Sequence, residues 1–209
     1  MYPQPIKRLI ELLSELPGLG PRQAARITFF ILRESKGYSK ILGEAIIKAK
    51  EDTSFCGECY RSIDRTVSSI CEFCSSEKRN QETLAIVEKE VDLANLEKTR
   101  LYAGVYHILG GVFRALDPDS PTKLHLADLY SRIEKKLKTK KPVEIIIATS
   151  ETTEGVSTSL YIERMLDPLK AKYKNLTVSR LGRGLSLGTE LEYADEVTLQ
   201  NALQHRTHS

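Results

Sequence analysis

Apolar residues over the first 50 positions recur at helical spacing. Ile6, Leu9, Ile10 and Leu13 fall at i, i+3, i+4 and i+7, the stripe of one buried helix face. After a Gly/Pro break, Ala24, Ile27 and Ile31 continue the pattern, and Ile41, Leu42, Ala45, Ile46 and Ala49 repeat it from about Ser39. Helices this short cannot bury their apolar faces alone, so they must pack on one another or on a second subunit. Periodicity then disappears over 55–80. From Gln81 short β-branched runs take over, Leu84–Val87 and Val143–Ala148, as expected of strands buried on both faces. Helical stretches follow them around Leu93–Thr99 and Val156–Tyr173. Strands alternating with helices predict a parallel-centred sheet.

No apolar run approaches the roughly 20 residues of a membrane span. The first residues, MYPQPIKRLIELLSEL, mix charges into the apolar stripe and read as an amphipathic helix, not a secretory signal, which predicts a cytoplasmic protein. Charge adds a second asymmetry. Residues 1–50 hold nine Lys/Arg against four Asp/Glu, 51–80 hold four against six, and 81–209 balance at eighteen each. The basic N-terminal end points to a polyanionic partner.

Chemistry concentrates in three places. Between the first two helices lies Leu16-Pro17-Gly18-Leu19-Gly20-Pro21-Arg22-Gln23-Ala24-Ala25-Arg26. Gly18 and Gly20 permit a tight turn with positive φ, and Pro21 suits the first helical position, where its missing N–H costs nothing. The helix that follows offers free N–H groups and a positive dipole end to an anion, flanked by Arg22 and Arg26 one turn apart. The segment resembles a helix-hairpin-helix element, which implies sequence-independent contact with DNA through Gly18, Gly20, Arg22 and Arg26.

The second place is Cys56-x2-Cys59 and Cys71-x2-Cys74, two knuckles separated by 11 residues that use every cysteine in the chain. Four thiolates at this spacing predict one closed, structural zinc site. The third is Ile86-Val87-Glu88 with Ser150-Glu151-Thr152-Thr153-Glu154-Gly155. A glutamate after a strand, with an Glu-Gly loop opening a helix, resembles a Toprim domain. In its catalytic members two aspartates join that glutamate on Mg²⁺; here their positions match Ser150 and Thr152, and hydroxyls are poor ligands for a hard dication. The site formed by Glu88, Ser150, Thr152 and Glu154 reads as degenerate, with no catalytic residue. Gly182–Gly188 lacks the Lys-Ser/Thr of a phosphate loop, and His107 reads as a packed or surface histidine.

The order of these parts predicts an α+β protein. It has a helix-hairpin-helix region at 1–54, a four-cysteine zinc module at 55–80, a Toprim-like α/β domain at 81–175 and a C-terminal strand/helix extension at 176–209. With Tyr106-His107-Ile108-Leu109-Gly110-Gly111 and the closing Leu191-Glu192-Tyr193-Ala194-Asp195-Glu196-Val197-Thr198-Leu199, it resembles the bacterial RecR family from about Ile6 to Leu203. The spacer between the cysteine pairs is longer than is usual there. The resemblance implies a DNA-binding recombination mediator, a ring-like homo-oligomer acting with RecO and RecF to help RecA load at single-stranded gaps, near the nucleoid. Two other readings stand beside it: a Mg²⁺-dependent Toprim nuclease or primase using Glu88, Glu151 and Glu154, and a zinc-ribbon adaptor that binds only protein.

Overall fold

A computed structural model describes residues 2–114, 117, 119–182, 184, 185, 188, 190–204 and 206. Arg183, within the Arg180–Leu185 segment, and Ser186 and Leu187, within Gly182–Gly188, lie outside the described residues. The chain divides into two compact units, residues 1–53 with 64–66, and residues 54–63 with 67–209.

The first unit holds helices α1 (Gln4–Ser14), α2 (Pro21–Arg33) and α3 (Lys36–Glu51). Helix α3 begins earlier than the apolar stripe indicates, because Ser35 caps it by accepting from the Tyr38 N–H at 3.2 Å. Ala24 and Thr28 of α2 are the buried side chains of these three helices among the described residues. Phe30, Leu32, Ile41, Ile46 and Ile47 are each more than half exposed, so the unit leaves much of its apolar surface uncovered.

Strands β1 (Thr53–Phe55) and β2 (Ser62–Asp64), which pair as a two-stranded sheet, each have one end residue, Thr53 and Asp64, in the first unit; the short helix α4 (Glu72–Ser75) belongs to the second. The second unit continues through β3 (Asn80–Val87), α5 (Glu90–Lys98), β4 (Gly104–Ile108), α6 (Leu126–Leu137), β5 (Val143–Ala148), α7 (Thr153–Lys172), β6 (Leu176–Arg180) and α8 (Glu196–Gln204). The four later strands form one parallel sheet in the order β4-β3-β5-β6. Alternate residues explain its two buried faces. Leu84, Ile86, Val105, Ile145 and Ile147 pack with Leu129, Ile133, Ile162 and Leu166 of α6 and α7. Ala85, Val87, Tyr106 and Ile108 pack with Leu93 and Leu96 of α5.

The crossover from β3 runs one way to β4, and the later strands run the other way. Right-handed crossovers then put α5 on one face and α6 and α7 on the opposite one. The direction of the chain reverses between β3 and β5. Ligand crevices in such sheets open at the carboxyl ends of the strands flanking that point. Glu88 follows β3 there, and Ser150 lies two residues beyond β5.

Candidate nucleic-acid interface and metal centre

In the hairpin, the Leu19 N–H donates to Leu16 O at 3.0 Å and closes the turn, with Gly18 at φ +81°. Gly20 behaves differently from the expectation. It is the N-cap of α2 in extended backbone, φ −78° and ψ 167°, so only Gly18 uses left-handed freedom. The Ala24 N–H donates to Gly20 O at 3.0 Å, and Pro21 takes the first helical position. No side chain caps this helix. Its first-turn N–H groups are left to solvent or a ligand. Arg22 and Arg26 are exposed and make no ion pair or hydrogen bond among the described residues. Arg26 also borders a groove of about 290 Å³ with Leu19, Gln23, Ile27 and Phe30.

The four cysteine sulfurs lie within 4.8 Å of one another, and Cys56, Cys59 and Cys71 are buried. The local chain explains the convergence. The Cys56 N–H donates to Arg61 O at 2.8 Å and the Tyr60 N–H to Cys56 O at 3.1 Å, a tight knuckle that needs φ +66° at Tyr60. The second knuckle is the first turn of α4, where the Cys74 N–H donates to Cys71 O at 3.1 Å. The Cys71 N–H in turn points at Cys56 Sγ, 3.2 Å away. Cys59 Sγ and Cys71 Sγ are 3.4 Å apart. A tetrahedral ion with metal–sulfur bonds of about 2.3 Å sets its sulfurs about 3.8 Å apart, so the spacing fits. Hydrogen bonding between Cys59 and Cys71 raises the first thiol and holds the second well below the ordinary thiol range. Four thiols packed this closely favour shedding protons to a cation. The cluster can hold one soft metal ion, with no coordination position left open.

Arg132 of α6, a residue that sequence reasoning missed, ties this cluster to the sheet. It is 7% exposed. Its guanidinium donates to Tyr106 O at 2.6 Å and to Cys74 Sγ at 3.3 Å, and Glu58 Oε2 lies 3.3 Å from its Nε. Fifty-eight positions separate Arg132 from Cys74, so no local pattern exposes the pair. The Ile108 N–H also donates to Cys59 O at 2.9 Å. His107 is fully buried, with its Nε2–H donating to His125 O at 2.9 Å. Burial pushes its imidazole down to about 4, so the ring stays neutral at pH 7. It is a packed histidine.

At the carboxyl edge of the sheet, Glu88 Oε1 accepts from both the N–H and the hydroxyl of Ser150, each at 2.7 Å. The Ser150 and Thr152 hydroxyls are 2.9 Å apart, and Thr152 accepts from the Gly155 N–H at 3.1 Å as the N-cap of α7. A hydrogen-bonded relay thus joins Glu88, Ser150 and Thr152. Gly155 is required by shape: a Cβ there would overlap the carbonyl and hydroxyl of Ser150. Beside the relay, Thr149, Ser150 and Glu151 line a cavity of about 610 Å³ with Asp195, Thr198 and Asn201. Glu154 lies in the first turn of α7. Its side chain makes no hydrogen bond or ion pair to Glu88, Ser150 or Thr152 among the described residues.

Family models match three stretches: "RecR, helix-hairpin-helix" over 6–50, "Toprim domain" over 82–182 and "RecR, C-terminal" over 184–207. A recombination protein RecR from Cutibacterium acnes is 39% identical over 210 residues, covering 100% of this chain and 98% of the relative. One from Cyanothece sp. is 38% identical over 206 residues, covering 99% and 97%. Another, from Enterococcus faecalis, is 36% identical over 205 residues, covering 98% of each. The chain belongs to the RecR family. The closing segment of this RecR-family chain is ordered by Asp195, which accepts from the Thr198 N–H at 2.9 Å and hydroxyl at 2.6 Å at the start of α8. No helix among the described residues is long and apolar enough to cross a membrane.

Proposed function

We propose that the protein is a non-catalytic recombination mediator that grips the DNA backbone and, with RecO and RecF, helps RecA assemble at single-stranded gaps. The observation that carries this reading is the uncapped start of α2, with Arg22 and Arg26 exposed and unpaired beside it. Free N–H groups and two guanidinium groups suit phosphate, a contact that carries no base sequence. Gly18 shapes the turn and Gly20 starts the helix. The cysteine cluster holds one structural Zn²⁺ through Cys56, Cys59, Cys71 and Cys74, and its role is to fix the knuckles against the sheet. The relay through Glu88, Ser150 and Thr152 supplies no carboxylate pair for Mg²⁺, which favours mediation over cleavage or primer synthesis. Exposed Ile41, Ile46 and Ile47 favour burial of the helical unit in a homo-oligomer, a ring in this reading, working in the cytoplasm.

The test is RecA filament assembly on gapped DNA coated with single-strand-binding protein, in the presence of RecO. Adding this protein should shorten the lag, and the Arg22→Ala, Arg26→Ala double variant should not. Equal assembly rates with and without the protein would refute the mediator role.

A further inference from the structure

The even balance of eighteen basic and eighteen acidic residues after position 80 conceals a segregation that only the fold exhibits. Helix α6 ends in a lysine run, Lys135, Lys136, Lys138, Lys140 and Lys141, that turns into β5. The end of α7 carries Lys170, Lys172 and Lys174 before the turn into β6. Since β5 and β6 are neighbours running in parallel, both turns emerge at the amino edge of the sheet. Asn175 joins them, donating from its side chain to Lys141 O at 2.6 Å, while its own carbonyl accepts from the Val143 N–H at 2.8 Å.

Between the turns lies a groove of about 480 Å³ lined by Leu137, Lys138, Lys140, Tyr173, Lys174 and Asn175. Among the described residues, no carboxylate lines it. Around it, Glu134 serves both Lys138 and Lys172, Glu82 pairs with Lys141, and Asp167 with Lys170. Four of the surrounding lysines thus share three carboxylates. Lys140 and Lys174 are exposed and have no ion pair among the described residues. The positive turn conformation of Lys140, φ +63°, projects that residue from the end of α6.

We propose that this groove is a second contact for the phosphate backbone of DNA, at the edge of the sheet opposite to Glu88 and Ser150. The inference rests on the DNA-binding reading above and extends it to the α/β unit. Lysine is a point-charge partner for phosphate, without the fork geometry that favours a particular carboxylate or base. Two lysine-bearing turns converging on one trough suit an extended polyanion. The strand length of six residues in β5 separates the groove from the relay by roughly 20 Å, so one ligand at one edge leaves the other free.

The test uses the full-length protein on gapped DNA, with lysine acylation read by mass spectrometry. DNA should shield Lys140 and Lys174 several-fold from acylation, while Lys89 and Lys123, at the opposite edge, keep their reactivity. In parallel, the Lys140→Gln, Lys174→Gln variant should lower the slope of log affinity against log salt by roughly 1.8 on duplex, or about 1.4 on single strands. A Lys89→Gln, Lys123→Gln variant, with the same change in net charge, should leave the slope near that of the parent. Unchanged thermal unfolding of both variants establishes that neither acts through the fold. Unshielded lysines, or equal slopes for both variants, overturn the proposal. So does shielding by poly-aspartate but not by DNA, which assigns the groove to an acidic peptide. If Arg22→Ala with Arg26→Ala flattens the slope while the groove variant does not, the DNA-binding reading stands and only this inference falls. Absence of any DNA binding by the parent removes both.

Discussion

Replacing Arg132 by Met keeps most of the alkyl stem of the side chain and deletes its charge. The parent guanidinium is 7% exposed and holds Tyr106 O at 2.6 Å and Cys74 Sγ at 3.3 Å. A hydrogen bond from a charged donor contributes about 1.5–3 kcal/mol, and a buried carbonyl left without its partner costs a further 1–3 kcal/mol. The Glu58 contact adds little, because that side chain is 49% exposed and solvent screens it. Allowing for overlap between these terms, the loss is about 3–4 kcal/mol, within the range for breaking a buried charged contact. For a unit of this size each kcal/mol moves the unfolding midpoint by roughly 2–4 °C, so a fall of roughly 6–16 °C is expected. Calorimetry on the metal-loaded protein reads it. Release of metal to a chelator should accelerate in the same variant, since Cys74 loses its neighbouring positive charge. A midpoint within about 2 °C of the parent, with unchanged release, would show that Arg132 does not join the cysteine cluster to the sheet.

Cys59→Ser should abolish stoichiometric zinc, measured by elemental analysis, because three thiolates no longer close the site; full retention contradicts the assignment. Glu88→Gln should leave no Mg²⁺-dependent nuclease, relaxation or primer-synthesis activity to lose, and turnover in the parent that vanishes in this variant would promote the enzyme reading. Gly155→Ala should destabilise the α/β unit by about 2 kcal/mol or more, since its Cβ has only Ser150 atoms to displace; an unchanged unfolding midpoint refutes that packing.

Much of this was legible in the sequence, for reasons tied to particular residues. Pro21 and Gly18 behave as their backbone chemistry requires, whereas Gly20, chosen by the same argument, sits in extended backbone open to other residues. The cysteine spacing was sufficient to anticipate convergence, because a knuckle is a local structure. The start of α3 was hidden by Gly37, which weakens the helical signal just after the Ser35 cap. Helix α6 was passed over although Leu126, Leu129, Ile133 and Leu137 carry its stripe. The hydrogen bonds from Ser150 to Glu88, 62 positions apart, and from Arg132 to Cys74 depend on tertiary approach, which periodicity does not encode. The lysine run at 135–141 is visible as a run, but its meeting with 170–174 follows only from the pairing of β5 with β6.

The central claim is that the hairpin holds DNA by its phosphates, and the salt dependence of binding by the Arg22→Ala, Arg26→Ala variant tests it most directly. Both side chains are exposed, so zinc content and helical signal should stay normal. Each lost phosphate contact lowers the slope of log affinity against log salt by roughly 0.9 on duplex and about 0.7 on single strands. The account predicts weaker binding and a slope flatter by roughly 1.8 on duplex for each hairpin engaged, equally for unrelated DNA sequences. Unchanged affinity and slope would reduce the hairpin to a turn between two packed helices and contradict the account.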